Sequence, residues 1–379
     1  LTRQESSSGD DLEGQAMSTP TPGIVPPVSL TSAFQLGVET FGDVSQRADG
    51  TPSSHAQVVR DVVAEAVAAE RAGLDFFGVG EHHRPDFAVT APEVVLGAIA
   101  QATSRIRLGS AVTVLSSDDP VRVMERFATV DALSNRRAEI IAGRGSFIES
   151  FPLFGLDLHD YEELFEEKLD LLTRLLGNEP VTWEGRLRPA LSEARAYPEI
   201  ERGGEDDGRL FTWVGVGGSP QSVIRAARHG LPLFLAIIGG NPLAFKPFAG
   251  LYRRALAEMG QADQPIGAHV HGFVAESDEE ALAQLWPHYA ASMDRVGADR
   301  GWPPYTKGQF MAAADEDGNL AVGSPETVAA KLARIAGGLG LSRLDVKYSA
   351  GTLPSEAKLR SIELLGTEVK PRLLELLQG

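Results

Sequence analysis

Three short apolar runs constrain this chain more than anything else in it. Leu74-Asp75-Phe76-Phe77-Gly78-Val79-Gly80, residues 106–115 and Ala138-Glu139-Ile140-Ile141-Ala142 are each bounded by glycine or polar residues. Between them, residues 91–102 and 121–133 carry apolar side chains at helical spacing. Strands that are apolar on both faces and alternate with helices belong to a parallel sheet covered on both sides. Polar residues gather just past each run: Glu81-His82-His83-Arg84, then Ser116-Ser117-Asp118-Asp119, then Arg144. Polar groups beyond strand C-termini are where a β/α barrel keeps its chemistry.

The same rhythm extends both ways. A strand over 33–39 precedes a helix over 55–72, which Ser53 or Ser54 can cap and Gly73 can end. A helix over 161–176 follows Arg144. Strands are then expected over 211–216, 231–238, 266–274 and 343–348, with helices over 220–229, 242–259, 278–295, 324–337 and 355–377. Eight strands separated by helices predict an α/β fold, a single (β/α)8 TIM barrel. Pro- and Gly-rich residues 178–209 and residues 296–322 break the rhythm and read as irregular insertions over the C-terminal rim, possible lids against water. Residues 1–29 read as a disordered tail, leaving 30–379 as one domain. An open doubly wound sheet would need a glycine fingerprint on its first turn, and the turn after Glu39 has none.

Charge and composition remove several function classes. Asp and Glu number 52 against 35 Lys and Arg, a net charge of -17, so nucleic acid and anionic membranes are not expected partners. Cysteine is absent, which removes disulfides, thiolate catalysis and Cys-ligated metals together. No apolar run approaches the roughly 20 residues of a membrane span. A cytoplasmic protein is the expectation.

Within this frame four motifs carry chemistry. In Gly217-Gly218-Ser219-Pro220 a strand ends, two glycines turn the backbone, Ser caps and Pro opens a helix, which places N–H donors at the rim for a phosphate. The bland reading is a well-made helix start, since Ser324-Pro325-Glu326 opens a helix that no expected strand precedes. Gly239-Gly240-Asn241-Pro242 repeats the device one strand later. Arg144, between two glycines, suits a phosphate or an anion developing on a ligand ring, or an ion pair with a carboxylate such as Glu39. His82 is a candidate general acid or base with a carboxylate neighbour. With His83, and with His269 and His271 on one face of a strand, it could instead build the metal centre of a barrel hydrolase. Few strand-end carboxylates argue against that. Lastly, the small residues ending the 106–115 run let a flat ligand lie against the backbone.

Taken together, Glu81-His82-His83, Arg107-Leu108-Gly109-Ser110-Ala111-Val112-Thr113-Val114-Leu115, Asp119-Pro120-Val121-Arg122, Asp131-Ala132-Leu133-Ser134 with Arg137, and Gly143-Arg144-Gly145 resemble the bacterial-luciferase-like superfamily of flavin-dependent monooxygenases. The resemblance runs from about residue 33 to 378. It implies a TIM barrel, usually a homodimer, that takes reduced FMN from a separate flavin reductase. Reaction with O2 through a C4a-peroxyflavin would oxygenate an aldehyde, ketone or other small organic molecule. Residue by residue it implies that His82 is catalytic and that Ala111-Val112, often a cis peptide, cradles the isoalloxazine beside Thr113. Arg144 would contact the flavin, and Gly217, Gly218, Ser219 and Ser222 would bind its phosphate; apart from the resemblance, the repeated device at Gly239 and Gly240 could share that phosphate or be purely structural. Some relatives use the deazaflavin F420 for hydride transfer, and others store flavin without turnover. Luciferase proper has a reactive Cys where this chain has Gly143, so light emission is not carried over.

Overall fold

The computed structural model describes residues 33–47, 49–145, 147–201 and 209–378; the tail expected over 1–29 lies outside them. Eight parallel strands close into a barrel: β1 Gln35–Thr40, β2 Phe76–Val79, β3 Arg107–Ser110, β4 Ala138–Gly143, β5 Phe211–Val216, β6 Leu233–Ala236, β7 Ile266–Val274 and β8 Arg343–Lys347. Each pairs with the next, and β8 returns to β1 in the register Gln35↔Arg343 to Glu39↔Lys347. The eight strands expected from the apolar rhythm are therefore present, with ends shifted by a residue or two except in the 106–115 run, where β3 stops at Ser110.

Strand alternation sorts the side chains into two cores. Leu36, Val38, Phe77, Val79, Leu108, Ile140 and Ala142 face outward and pack under the helices in the main core. Phe76, Ile141, Phe211, Trp213 and Phe234 point inward and fill the barrel. Among these rings lies Arg343, its guanidinium 3.9 Å from the Phe76 centroid and 4.6 Å from that of Trp213. It pairs with Glu139 at 2.5 Å, and Trp213 Nε1 donates to the same carboxylate at 2.9 Å. The interior is thus plugged from its N-terminal end, and any ligand must sit at the C-terminal mouth.

Local signals position the helices. Ser54 accepts the Gln57 N–H to cap His55–Ala72, and Gly73, at φ 87°, ends it in the left-handed region. Asp119 caps Pro120–Ser134 through the N–H groups of Val121 and Arg122.

The insertions are more ordered than the sequence suggests. Residues 178–209 contain an antiparallel hairpin, Val181–Trp183 with Leu191–Ala194, strapped to the helix Tyr161–Leu175 by Trp183 Nε1 on Asp170 at 2.8 Å. The helix expected over 278–295 runs on to Arg300 despite Pro287 inside it. Within 296–322 lie the helix Lys307–Ala314, opened by a Thr306–Gln309 capping box, and the strand Leu320–Gly323, parallel to β7. Ser324 therefore does follow a strand, contrary to the sequence reading. Its helix N-terminus is filled internally, because Asp278 accepts from the Ser324 N–H at 2.7 Å and the Thr327 hydroxyl at 3.0 Å. A Ser-Pro cap after a strand is accordingly no anion site by itself.

Candidate active site

The 106–115 run is not one continuous strand. β3 stops at Ser110, the Ala111–Val112 peptide is cis, and Thr113–Val114 resumes pairing with the end of β4. The sequence there bends inward because its neighbours have no side chains to block it. A Cβ on Gly78 would meet Ala111 Cβ at 2.9 Å, on Gly80 the Ala111 carbonyl at 2.4 Å, and on Gly143 the Val112 methyl at 2.6 Å. Gly143, where luciferase proper has Cys, is thus the seat of the Val112 side chain. Inward positions that keep some exposure define the mouth: Phe41, Val112, Gly215, Ala236 and His271. Apart from His271 these residues are apolar or glycine, and Val112, Gly215 and Ala236 are small. Thr113 is buried at the edge of the mouth with a hydroxyl that finds no partner.

The loop after β2 supplies the histidines. His82 is buried, with Phe87 and Phe147 each at 4.5 Å between ring centroids and Phe41 edge-on at 5.1 Å. Its Nδ1 lies 3.1 Å from Glu149 Oε1. An ionised carboxylate only accepts, so Nδ1 carries the proton and Nε2 is the nitrogen available for proton exchange. Burial is the largest influence and would raise the Glu149 carboxyl, but the His82 hydrogen bond and charge, together with nearby backbone N–H groups, outweigh it and hold Glu149 below its usual range. The carboxylate neighbour expected from the sequence, Glu81, turns elsewhere: it accepts the Val114 N–H at 2.7 Å and lies 3.9 Å from His83. Burial pushes Glu81 up to about 7, only partly opposed by that N–H. The end of the helix Asp278–Arg300 closes over this loop, with Asp299 paired to Arg84 and Arg300 5.4 Å from the Phe147 centroid.

Arg144, just past β4, lies 5.4 Å from the Tyr161 ring, whose hydroxyl donates to the Gly145 carbonyl at 2.6 Å. Its ion-pair partner is Glu162, not Glu39. After β5, Gly218 takes φ 108°, and Ser219 caps Pro220–Arg228 by accepting the Ser222 N–H at 3.2 Å. Arg225, buried one turn later, reaches Ser222 Oγ at 3.4 Å and Glu162 at 3.3 Å. One corner of the rim thus collects Arg144, Arg225 and a helix N-terminus. Gly239-Gly240 sits on the next loop, exposed, and opens the short 3-10 turn Pro242–Phe245 capped by Asn241. It is a weaker donor array than the α-helix at Ser219.

The four-histidine metal centre does not assemble. His82 is taken by Glu149, and His269 by Glu39, which overcomes burial to raise the imidazole above its usual range. Burial, with Lys347 nearby, pushes His271 down to about 3. Among the described residues no three His, Asp or Glu converge to hold a metal ion.

Residues 39–342 match the luciferase-like monooxygenase family. The chain belongs to it. It is 28% identical over 326 residues to limonene 1,2-monooxygenase of Rhodococcus erythropolis, covering 80% of this chain and 78% of that protein. In fold it is similar to the oxygenating constituent of 3,6-diketocamphane monooxygenase of Pseudomonas putida, a type II Baeyer-Villiger enzyme solved with FMN. The TM-score there is 0.68 at 20% identity, over 89% of this chain and 98% of that one. It is also similar to the coenzyme F420-dependent tetrahydromethanopterin reductase of Methanopyrus kandleri, with a TM-score of 0.66 at 19% identity over 90% and 100% of the two chains.

For a luciferase-like chain the site residues expected from sequence fall into two groups. His82, Ala111, Val112 and Thr113 lie past the ends of β2 and β3, and Arg144, Gly217, Gly218, Ser219 and Ser222 past those of β4 and β5; Gly239 and Gly240, on the loop after β6, belong to neither group. Sequence reasoning missed Glu149, Glu162 and Arg225. The Ser219, Ser222, Arg225 spacing, three residues each, puts all three on one helix face and could have flagged Arg225.

Proposed function

We propose that this chain is a flavin-dependent monooxygenase using reduced FMN and O2 to oxygenate a small, weakly polar molecule such as an aldehyde or ketone. The observation that supports it most is the pairing of an anion corner with a small-residue floor beside a carboxylate-held histidine. Those parts fit FMN: Arg144 and the Ser219–Ser222 helix start would hold its phosphate, and Ala111, Val112 and Thr113 would lie against its ring. Reduced FMN, delivered by a reductase, would supply the electrons that activate O2. Phe41, Phe87 and Phe147 exclude water around His82, whose Nε2 would take or return a proton at the reacting centre. Its Nδ1, fixed by Glu149, keeps that nitrogen available.

Anaerobic titration of the protein with reduced FMN, and separately with reduced F420, tests the cofactor. Binding of FMN followed by O2-dependent oxidation of a ketone or aldehyde is expected; binding of F420 alone would replace the reading with hydride transfer. In the same titration Arg144→Ala should weaken FMN binding by about 10-fold or more, the loss of one charge-assisted hydrogen bond of roughly 1.5–3 kcal/mol. Unchanged affinity would remove Arg144 from the site.

A further inference from the structure

We infer that Glu162 is an internal competitor for the phosphate corner, holding flavin affinity down so that the cofactor exchanges readily. This rests on the phosphate reading above. Two guanidinium groups converge on this one carboxylate: Arg144 Nη1 on Oε1 and Arg225 Nη2 on Oε2 at 3.3 Å. The arginines are the fixed members. Arg144 lies against the Tyr161 ring, while Arg225 is buried, ion-paired to Glu166 through Nε and 5.3 Å from the Phe165 ring centroid. Glu162 is the loose member, its side chain 61% exposed in the first turn of Tyr161–Leu175.

The geometry is that of an anion site already satisfied by an anion. A phosphate monoester offers the same arginines more charge and three acceptor oxygens. To bind, it must either take an arginine from Glu162 or lie beside it as a like charge, and both lower affinity. The contrast with the helix at Ser324 supports this. There Asp278 sits directly on the backbone N–H and the adjacent hydroxyl, filling the helix start. At Ser219 the carboxylate rests on the arginines, so the helix start itself stays open to a ligand. A monooxygenase fed by a separate reductase needs a flavin that arrives and leaves, and a self-competing corner provides that.

Affinities of the full chain for FMN and for riboflavin, which lacks the phosphate, test the inference in wild type and Glu162→Gln. The glutamine keeps the size and removes the charge. FMN should bind about tenfold tighter to the variant, about 1.4 kcal/mol, with riboflavin unchanged. Glu162→Ala should move FMN in the same direction. If Glu162→Gln binds FMN no better than wild type, or worse, Glu162 positions the arginines rather than competing, and the inference fails. Should wild type bind FMN no better than riboflavin, or bind neither, the phosphate reading itself is overturned, whatever the variant does.

Discussion

His82→Ala is expected to lose about 10²- to 10⁴-fold of its oxygenation rate while still binding FMN. The size follows from what the side chain does. Its Nδ1 is committed to Glu149, which leaves Nε2 as a defined proton carrier. His271, also at the mouth, is held neutral down to about pH 3 and is a poor acid in the working range. The loop after β4 carries Arg144 as well as the Phe147 and Glu149 that hold His82, but Arg144 and Arg225 pair with Glu162 and Glu166, so removing the imidazole should leave the groups proposed to hold the phosphate in place. Because His82 packs among three phenylalanine rings, truncation leaves a gap; His82→Gln, which fills more of it, and a thermal melt separate a lost proton carrier from a loosened loop. Glu149→Gln should lose activity less severely, since the ring keeps its place and loses its fixed tautomer. Single-turnover oxidation of bound FMN in the presence of substrate is the measurement. Wild-type rates in His82→Ala would strike His82 from the catalytic role.

The barrel was legible because its signal is local. Each strand is a short apolar run between turn residues, and several helices, such as those opened by Ser54, Asp119 and Ser219, begin at a capping side chain, so order and element type follow from nearest neighbours. The strand Leu320–Gly323 was missed for the complementary reason: four residues after the polar run Asp315-Glu316-Asp317-Gly318-Asn319 carry too little pattern to stand out. Pairings made by closure of the barrel were not legible either. Nothing near His82 announces Glu149, 67 residues on, because the loops after β2 and β4 meet only once the sheet curls. Arg144 does follow a strand end and does form an ion pair, but with Glu162 over the rim; Glu39, the example offered by sequence, lies inside the barrel on His269. The cis peptide at Ala111–Val112 was expected from the family resemblance alone, and only the structure shows the glycines that make room for it.

Glu139→Gln is expected to destabilise the fold by about 3–5 kcal/mol, a drop in Tm on the order of 10 °C. Glu139 is fully buried and accepts from Arg343, Arg107 and Trp213 together. Arg343 is equally buried and cannot reach water when its partner is gone. Asp345, its other neighbour, does not share that load in the wild type, because burial pushes its carboxyl up to about 8 against Arg343's pull, with Glu39 and Glu139 adding to the rise. Two arginines thus share one ionised carboxylate. Burial alone would raise Glu139, but Arg343 and then Arg107 reverse this and hold it down to about 2. A folded-state value below the ordinary 4.5 contributes stability that is present above pH 4.5 and lost as the pH falls toward 2. The shift corresponds to roughly 3 kcal/mol, in line with the mutational expectation. Wild type should therefore lose stability steeply over that acid range, and the gap between it and Glu139→Gln should close as the pH falls. If Glu139→Gln does not fold, Glu139→Leu combined with Arg343→Met decides the point, since removing both charges should recover much of the loss. A wild-type acid profile no steeper than that of the double variant would mean that Glu139 is not the charge that holds the barrel floor.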